Sequence, residues 1–265
     1  MDIKSVSAIY FSPTGGTRRY VVEIAKRIKR DFVEIDLTNV YNREKKYIFG
    51  EDDLVILGSP VYFGRIPQIK GGIFDNIKGN NTKTIFTVTY GNRDYEDALL
   101  EQMNICSKNG FIGVAAAALV APHSYSQKIA HGHPNNKDLF ALDVFVNRVK
   151  DVIEREAYEN KSLIVKGKYP YRKYSSVPFS PSANKKCNKC GKCAERCPVS
   201  AINVTNPEKK PNSNCISCLA CVKYCPHNVR TVKNPLLYIA RFMLERKLTK
   251  EERIPEFFYV DKKPV

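Results

Sequence analysis

Val6-Ser7-Ala8-Ile9-Tyr10-Phe11-Ser12-Pro13-Thr14-Gly15-Gly16-Thr17 decides the fold. Its first six residues form a short, mainly apolar strand. Thr17 to Arg30 reads as a helix, with Val21, Ile24, Ala25 and Ile28 along one face. The turn between them collects hydroxyls and two glycines at a helix start. Backbone N–H groups and the helix dipole there suit a phosphate, and Gly15 and Gly16 let the backbone close around it. The spacing fits neither the dinucleotide-binding nor the Walker pattern.

Working outward, Phe32 to Leu37, Asp53 to Gly58, Thr84 to Thr89 and Phe111 to Ala121 read as four more strands. Asp94 to Asn109 and Asp138 to Glu156 read as helices, the second burying Leu142, Phe145, Val146, Val149 and Ile153. Near-continuous apolar strands alternating with helices predict a five-stranded parallel sheet covered on both faces, a doubly wound α/β domain. Ligands of such sheets bind beyond the C-terminal strand ends. Gly58-Ser59-Pro60-Val61-Tyr62-Phe63-Gly64-Arg65 and Thr89-Tyr90-Gly91-Asn92-Arg93-Asp94-Tyr95 lie there, beside the phosphate-type turn.

The C-terminal third carries different chemistry. Cys187, Cys190, Cys193 and Cys197 precede Pro198; Cys215, Cys218, Cys221 and Cys225 precede Pro226. Each run reads C-x2-C-x2-C-x3-C-P, the bacterial two-cluster pattern, and the copies are offset by 28 residues. Three thiolates on a tight loop reach three irons of a cubane, and the fourth ligates the other cluster. One [4Fe–4S] cluster is therefore expected on Cys187, Cys190, Cys193 and Cys225, the other on Cys215, Cys218, Cys221 and Cys197. Zinc sites use paired C-x2-C units with a longer gap. The ninth cysteine, Cys106, sits at helical spacing from Leu99 and Met103 and reads as a buried structural thiol.

Composition sets bounds. The 265 residues allow one ordinary domain and a small one. No apolar run is long enough to span a bilayer. Met1-Asp2-Ile3-Lys4 lacks the apolar stretch of a signal peptide, and nine cysteines then fit a reducing cytoplasm. The formal charge of +16 favours acidic partners. Residues 160–194 hold nine Lys/Arg and no Asp/Glu, with Tyr169, Tyr171, Tyr174 and Phe179 interleaved and prolines at 170, 178 and 181. No nucleic-acid module accompanies this stretch, so it reads as a basic linker lying along both domains rather than a nucleic-acid arm. Leu236 to Lys247 reads as a helix packed on the body.

These motifs carry a resemblance. Residues 1–159 resemble a flavodoxin-like domain, on the S/T-x-T-G-x-T turn, and 185–233 resemble a two-cluster ferredoxin. Residues 160–184 join them, and 234–265 form a tail. The order is similar to the "ferrodoxin" family of ferredoxin–flavodoxin fusions. The resemblance implies FMN held by Ser12, Thr14, Gly15, Gly16, Thr17, Pro60, Val61, Tyr62, Phe63, Gly64, Tyr90, Gly91, Asn92 and Tyr95, with Tyr62 stacked on the ring. It raises Arg65 and Arg93 as cations near the flavin. The chain departs from flavodoxins, which are usually acidic. With cofactors bound its charge would still be roughly +10.

Two readings follow. One is an electron carrier, passing single electrons between the clusters and FMN and exchanging with acidic, ferredoxin-like partners. The other is a ferredoxin-fed or NAD(P)H-fed flavin reductase acting on a quinone, nitro compound or disulfide, with His123 or Tyr125 as proton donor. The carrier is preferred and needs no acid–base constellation; no dedicated nicotinamide-binding domain is read in the sequence, which counts against direct hydride input from NAD(P)H. A cluster-based redox regulator is a distant third.

Overall fold

The computed structural model describes residues 3–159, 161–177 and 179–260. Pro178 of the linker and the last five residues of the tail lie outside it. In chain order the N-terminal elements are β1 (Ser5–Tyr10), α1 (Gly16–Ile28), β2 (Val33–Asp36), α2 (Val40–Glu44), β3 (Tyr47–Phe49), β4 (Asp53–Pro60), β5 (Ile77–Gly79), β6 (Thr82–Tyr90), α3 (Ala98–Lys108), β7 (Phe111–Val120) and α4 (Asn136–Glu154). The C-terminal elements are β8 (Ser182–Ala183), α5 (Lys192–Glu195), α6 (Ala220–Lys223), β9 (Arg230–Thr231), α7 (Pro235–Leu248) and β10 (Glu256–Tyr259).

The main sheet runs β10-β7-β6-β4-β1-β2. Its five strands from β2 to β7 are parallel, in the doubly wound order whose switch point lies between β1 and β4. These are the five strands expected from the sequence. Both faces are buried. Tyr20, Val21, Ile24, Leu142, Phe145 and Val149 cover one, and Leu99, Phe74, Ile77 and Phe111 the other. That two-sided burial is why β4 carries the unbroken apolar run Leu54–Leu57, while β6 is buried throughout with threonines among its apolar residues.

A sixth strand extends the sheet. β10 pairs antiparallel with β7, setting Phe257 opposite Ala117. The small side chains of Ala115–Ala118 leave room along that edge. Phe257 stacks on Phe145 at 4.7 Å, while Phe258 joins the opposite core. Covering β7 also removes an exposed edge. The tail therefore carries a strand as well as the expected helix. β3 and β5 form a separate two-stranded sheet, also unanticipated.

Residues 161–177 cross the α3 side. Leu163 is buried against Phe86 and Gly113. Asp97 accepts from the backbone N–H groups of Lys168 (2.9 Å) and Arg172 (2.7 Å), and Tyr171 meets Asn104 at 2.8 Å. The linker is thus packed on the first domain. Three hydrogen bonds then tie the cysteine-rich domain to it. Arg43 donates to the Pro198 carbonyl (2.7 Å), Lys223 to that of Thr14 (2.7 Å) and Tyr125 to that of Ser217 (2.9 Å). Arg43 is buried, which lowers its pKa.

Candidate functional site

The turn after β1 opens at Gly15, at φ 83°, left-handed backbone that glycine adopts freely. The N-cap residue Gly15 has no side chain to cap α1, and the first turn has no acidic residue. Ser12 Oγ accepts from Arg18 N at 3.0 Å, and Thr17 Oγ1 lies 2.7 Å from Thr89 Oγ1, tying the turn to the end of β6. A helix start with no carboxylate in its first turn is a ready anion site.

Beside this turn lies a cavity of about 430 Å³, a common size for a cofactor site. Ser12, Thr14, Gly16 and Thr17 line it, as do Pro60, Val61, Tyr62, Phe63, Gly64, Tyr90 and Gly91. Gly15 lines an adjoining cleft of about 970 Å³. Gly91 allows a close approach: a Cβ there would fall 2.4 Å from the His123 ring. The hydroxyl of Tyr62 is buried without a hydrogen-bond partner. Burial pushes this phenol well up, with Cys218 a further contributor.

Two expected residues lie elsewhere. Asn92 donates to the carbonyls of Leu248 (2.7 Å) and Glu251 (2.8 Å) and accepts from Arg253 N (2.7 Å), so it staples the tail. Tyr95 is buried and donates to Glu256 at 2.7 Å. Both were drawn off the cavity by the tail, whose return across the sheet the local sequence does not announce. Arg65 also faces away. It forms a two-pronged pair with Glu101 (2.7 and 2.6 Å) and lies over Tyr171. Arg93 does line the cavity, paired with Glu96 at 3.0 Å.

The sequence reading missed three contributors to the walls. Arg172, Ser175, Val177 and Phe179 come from the linker, Ile216 and Ser217 from the cysteine-rich domain, and Leu237, Ala240, Arg241 and Leu244 from α7. The aromatic and basic interleaving of the linker was the only hint of the first. His123 and Tyr125 also line the cavity. His123 Nδ1 accepts from the Tyr125 backbone N–H at 3.1 Å, which leaves the neutral ring's proton on Nε2. Burial, then Arg93, lowers the His123 pKa.

The cysteines form two groups. Cys197, Cys215, Cys218 and Cys221 surround one small cavity, and Cys187, Cys190, Cys193 and Cys225 another, each about 20 Å³. Among the described residues no three metal-binding side chains converge on a single ion position. Four thiols spread around a cavity suit a polynuclear cluster, whose irons are separated. Arg230 is buried and donates to the carbonyls of Pro207, Pro181 and Lys209 (2.5, 3.0 and 3.1 Å), holding the loops around both groups. The first group adjoins the large cavity through Ile216 and Ser217. The second is more exposed at Cys190. Cys106 stays in the α3 core, its thiol pKa raised by burial.

Residues 8–112 match the family model described as a flavodoxin domain, and 186–230 that of a 4Fe-4S dicluster domain. The chain matches a flavodoxin–ferredoxin fusion. Among solved structures, this fusion is similar to a flavodoxin from the domain Archaea. They share 13% identity over 57% of this chain and 99% of that one, with a TM-score of 0.39. It is also similar to the Flv1 flavodiiron core of Synechocystis sp. PCC6803, at 14% identity and a TM-score of 0.37, over 58% of this chain. The fusion spans 37% of that second chain. No curated protein matches it. The flavodoxin domain of the fusion implies a flavin and its dicluster domain implies 4Fe–4S chemistry. The α1 start without a carboxylate, the unpartnered Tyr62 hydroxyl and the grouped thiols fit both. No described helix is long and apolar enough to cross a membrane.

Proposed function

We propose that the fusion transfers single electrons between two [4Fe–4S] clusters and FMN, exchanging them with acidic, low-potential carriers in a reducing compartment such as the cytoplasm. The observation that carries this is the shared wall: residues of the flavodoxin loops and of the Cys215–Cys218 loop line one cavity. Ser12, Thr14, Gly15, Gly16 and Thr17 would hold the FMN phosphate. Pro60 to Gly64, with Tyr90 and Gly91, would flank the ring. Each four-cysteine group would hold one cluster. When bound, the clusters supply one-electron chemistry and the flavin one- or two-electron chemistry.

The chain's own part is placement and shelter. Tyr62 and Tyr125 line the cavity, and Tyr125 reaches the Ser217 carbonyl of the Cys215–Cys221 loop. Val177, Phe179, Leu237, Ala240 and Leu244 give the cavity an apolar wall. His123, another wall residue, would carry its proton on Nε2. Lys185, Lys186, Lys189 and Lys192 stand exposed around Cys187–Cys193, a surface that steers an acidic protein to the outer cysteine group.

One observation favours a second reading, a flavin reductase. The adjoining cleft carries Arg19, Lys128, Lys223 and Arg241, enough room and charge for an anionic substrate. The two readings separate in one experiment on anaerobic holoprotein of measured iron, sulfide and FMN content. Prompt bleaching by NADH or NADPH would favour the reductase. Bleaching only by a reduced ferredoxin, with no reoxidation of the flavin by a quinone, nitro compound or disulfide, would favour the carrier.

A further inference from the structure

α7 is 14 residues long, about 21 Å, and presents two apolar rows. Leu237, Ala240 and Leu244 face inward and wall the cavity. Leu236, Tyr238, Ile239, Phe242 and Met243 are between 54% and 65% exposed. With Ile254 they are six of the fifteen large apolar side chains exposed among the described residues. Such concentration marks a contact surface, where scattered exposure would mark nothing.

The charge around this row is mainly positive. Lys233, Arg246, Lys247, Lys250 and Arg253 are exposed beside it, against Glu251 and Glu252, of which Glu252 is paired with His133. The helix's one carboxylate, Glu245, is turned inward. It accepts from Ser126 Oγ at 2.7 Å, with Lys128 and Arg241 at 3.6 and 3.7 Å. We propose that the outward face of α7 seats on the surface of an anionic lipid bilayer.

An apolar face bordered by cations lies in the plane of a bilayer interface, with its side chains among the upper acyl chains and its cations at the headgroups. Tyr238 has the amphipathic ring that such depths favour. The helix is too short to cross, so it rests on the surface. A second copy is a poorer occupant, because it would bring Arg246 and the flanking lysines against their own kind. An acidic carrier is already served by the lysine surface at Cys187–Cys193, which has no exposed apolar row. The α7 face combines both features, and a bilayer interface takes both. The proposal goes beyond electron transfer, and only its exclusion of an acidic carrier rests on that reading.

The test is flotation of the full-length holoprotein with phosphatidylcholine vesicles, with and without phosphatidylglycerol. The wild type is expected to float with the anionic vesicles and to bind them at least about tenfold better than neutral ones, an advantage lost in high salt. Ile239→Asn with Phe242→Asn is expected to lower binding by at least about tenfold. Neither side chain lines the cavity, so flavin and cluster absorption should stay unchanged and report intact folding. Arg246→Glu with Lys247→Glu should weaken binding with the apolar row kept. Absence of flotation with anionic vesicles, or equal binding by the asparagine variant, would overturn the proposal. So would a dimer in light scattering that Phe242→Asn dissolves without any lipid binding. Capture of an acidic ferredoxin through this row, again without lipid binding, would assign it to a protein.

Discussion

The Tyr125 hydroxyl donates at 2.9 Å to the Ser217 backbone carbonyl, two residues after Cys215 and one before Cys218. Tyr125 also lines the large cavity. One side chain thus touches the space proposed for the flavin and the loop proposed for a cluster. Tyr125→Phe removes this hydrogen bond and keeps the ring. The expected cost is about 1 kcal/mol, or about 2–4 °C in the melting midpoint. Exchange between the chromophores should slow in stopped-flow absorption. An unchanged rate would show that this tie does not set it.

Cys106 and Cys218 are both buried cysteines, yet only Cys218 belongs to a four-cysteine group. Cys106→Ala should keep the full iron content. Cys218→Ala should lose about half of it, one of two clusters. Iron and sulfide assays decide this. Loss of iron in Cys106→Ala would contradict the assignment.

Arg65 and Glu101 are paired with side chains 13% and 4% exposed. Arg65→Gln should cost about 3 kcal/mol in denaturant unfolding, because it leaves a buried carboxylate without its cation. The flavin midpoint should not move, since Arg65 faces away from the cavity. A shifted midpoint with unchanged stability would reverse that conclusion.

His123 gives a pH signature. Its pKa is below the ordinary 6.5, chiefly through burial. Below 6.5, the unfolded chain binds a proton that the folded chain refuses, until the folded value is reached. The folded form therefore loses stability as pH falls through that window and holds it fully above. His123→Gln should flatten this part of the stability profile relative to wild type. Parallel profiles for the two proteins would exclude His123 as the source.

Gly91→Ala would place a Cβ 2.4 Å from the His123 ring. The expected cost is about 1–3 kcal/mol, with weaker retention of FMN on dialysis. Undiminished retention would mean that His123 moves aside without disturbing the cavity.

The parallel sheet was legible because its central strands are buried on both faces and carry their apolar residues locally. The cysteine groups were legible because their spacing encodes the loop that holds them. The limits show at Asn92 and Tyr95. Their neighbours in sequence place them at a strand end, yet the tail, more than 150 residues later, takes both side chains. β10 has strand-like aromatics at Phe257, Phe258 and Tyr259, but its pairing depends on the small side chains of Ala115–Ala118. Ile216, Val177 and Leu237 reach the cavity only because two domains and the tail pack together. No local pattern carries that information.

The central claim is that electrons delivered at the cysteine groups reach the flavin. Anaerobic stopped-flow mixing of holoprotein with a reduced acidic ferredoxin tests it most directly, followed at the iron–sulfur and flavin bands. The account predicts that iron–sulfur bleaching comes first, that flavin bleaching follows, and that both slow as Lys185, Lys186 and Lys189 are replaced by glutamate. Flavin that stays oxidised beside reduced clusters, or bleaches before them, would contradict it.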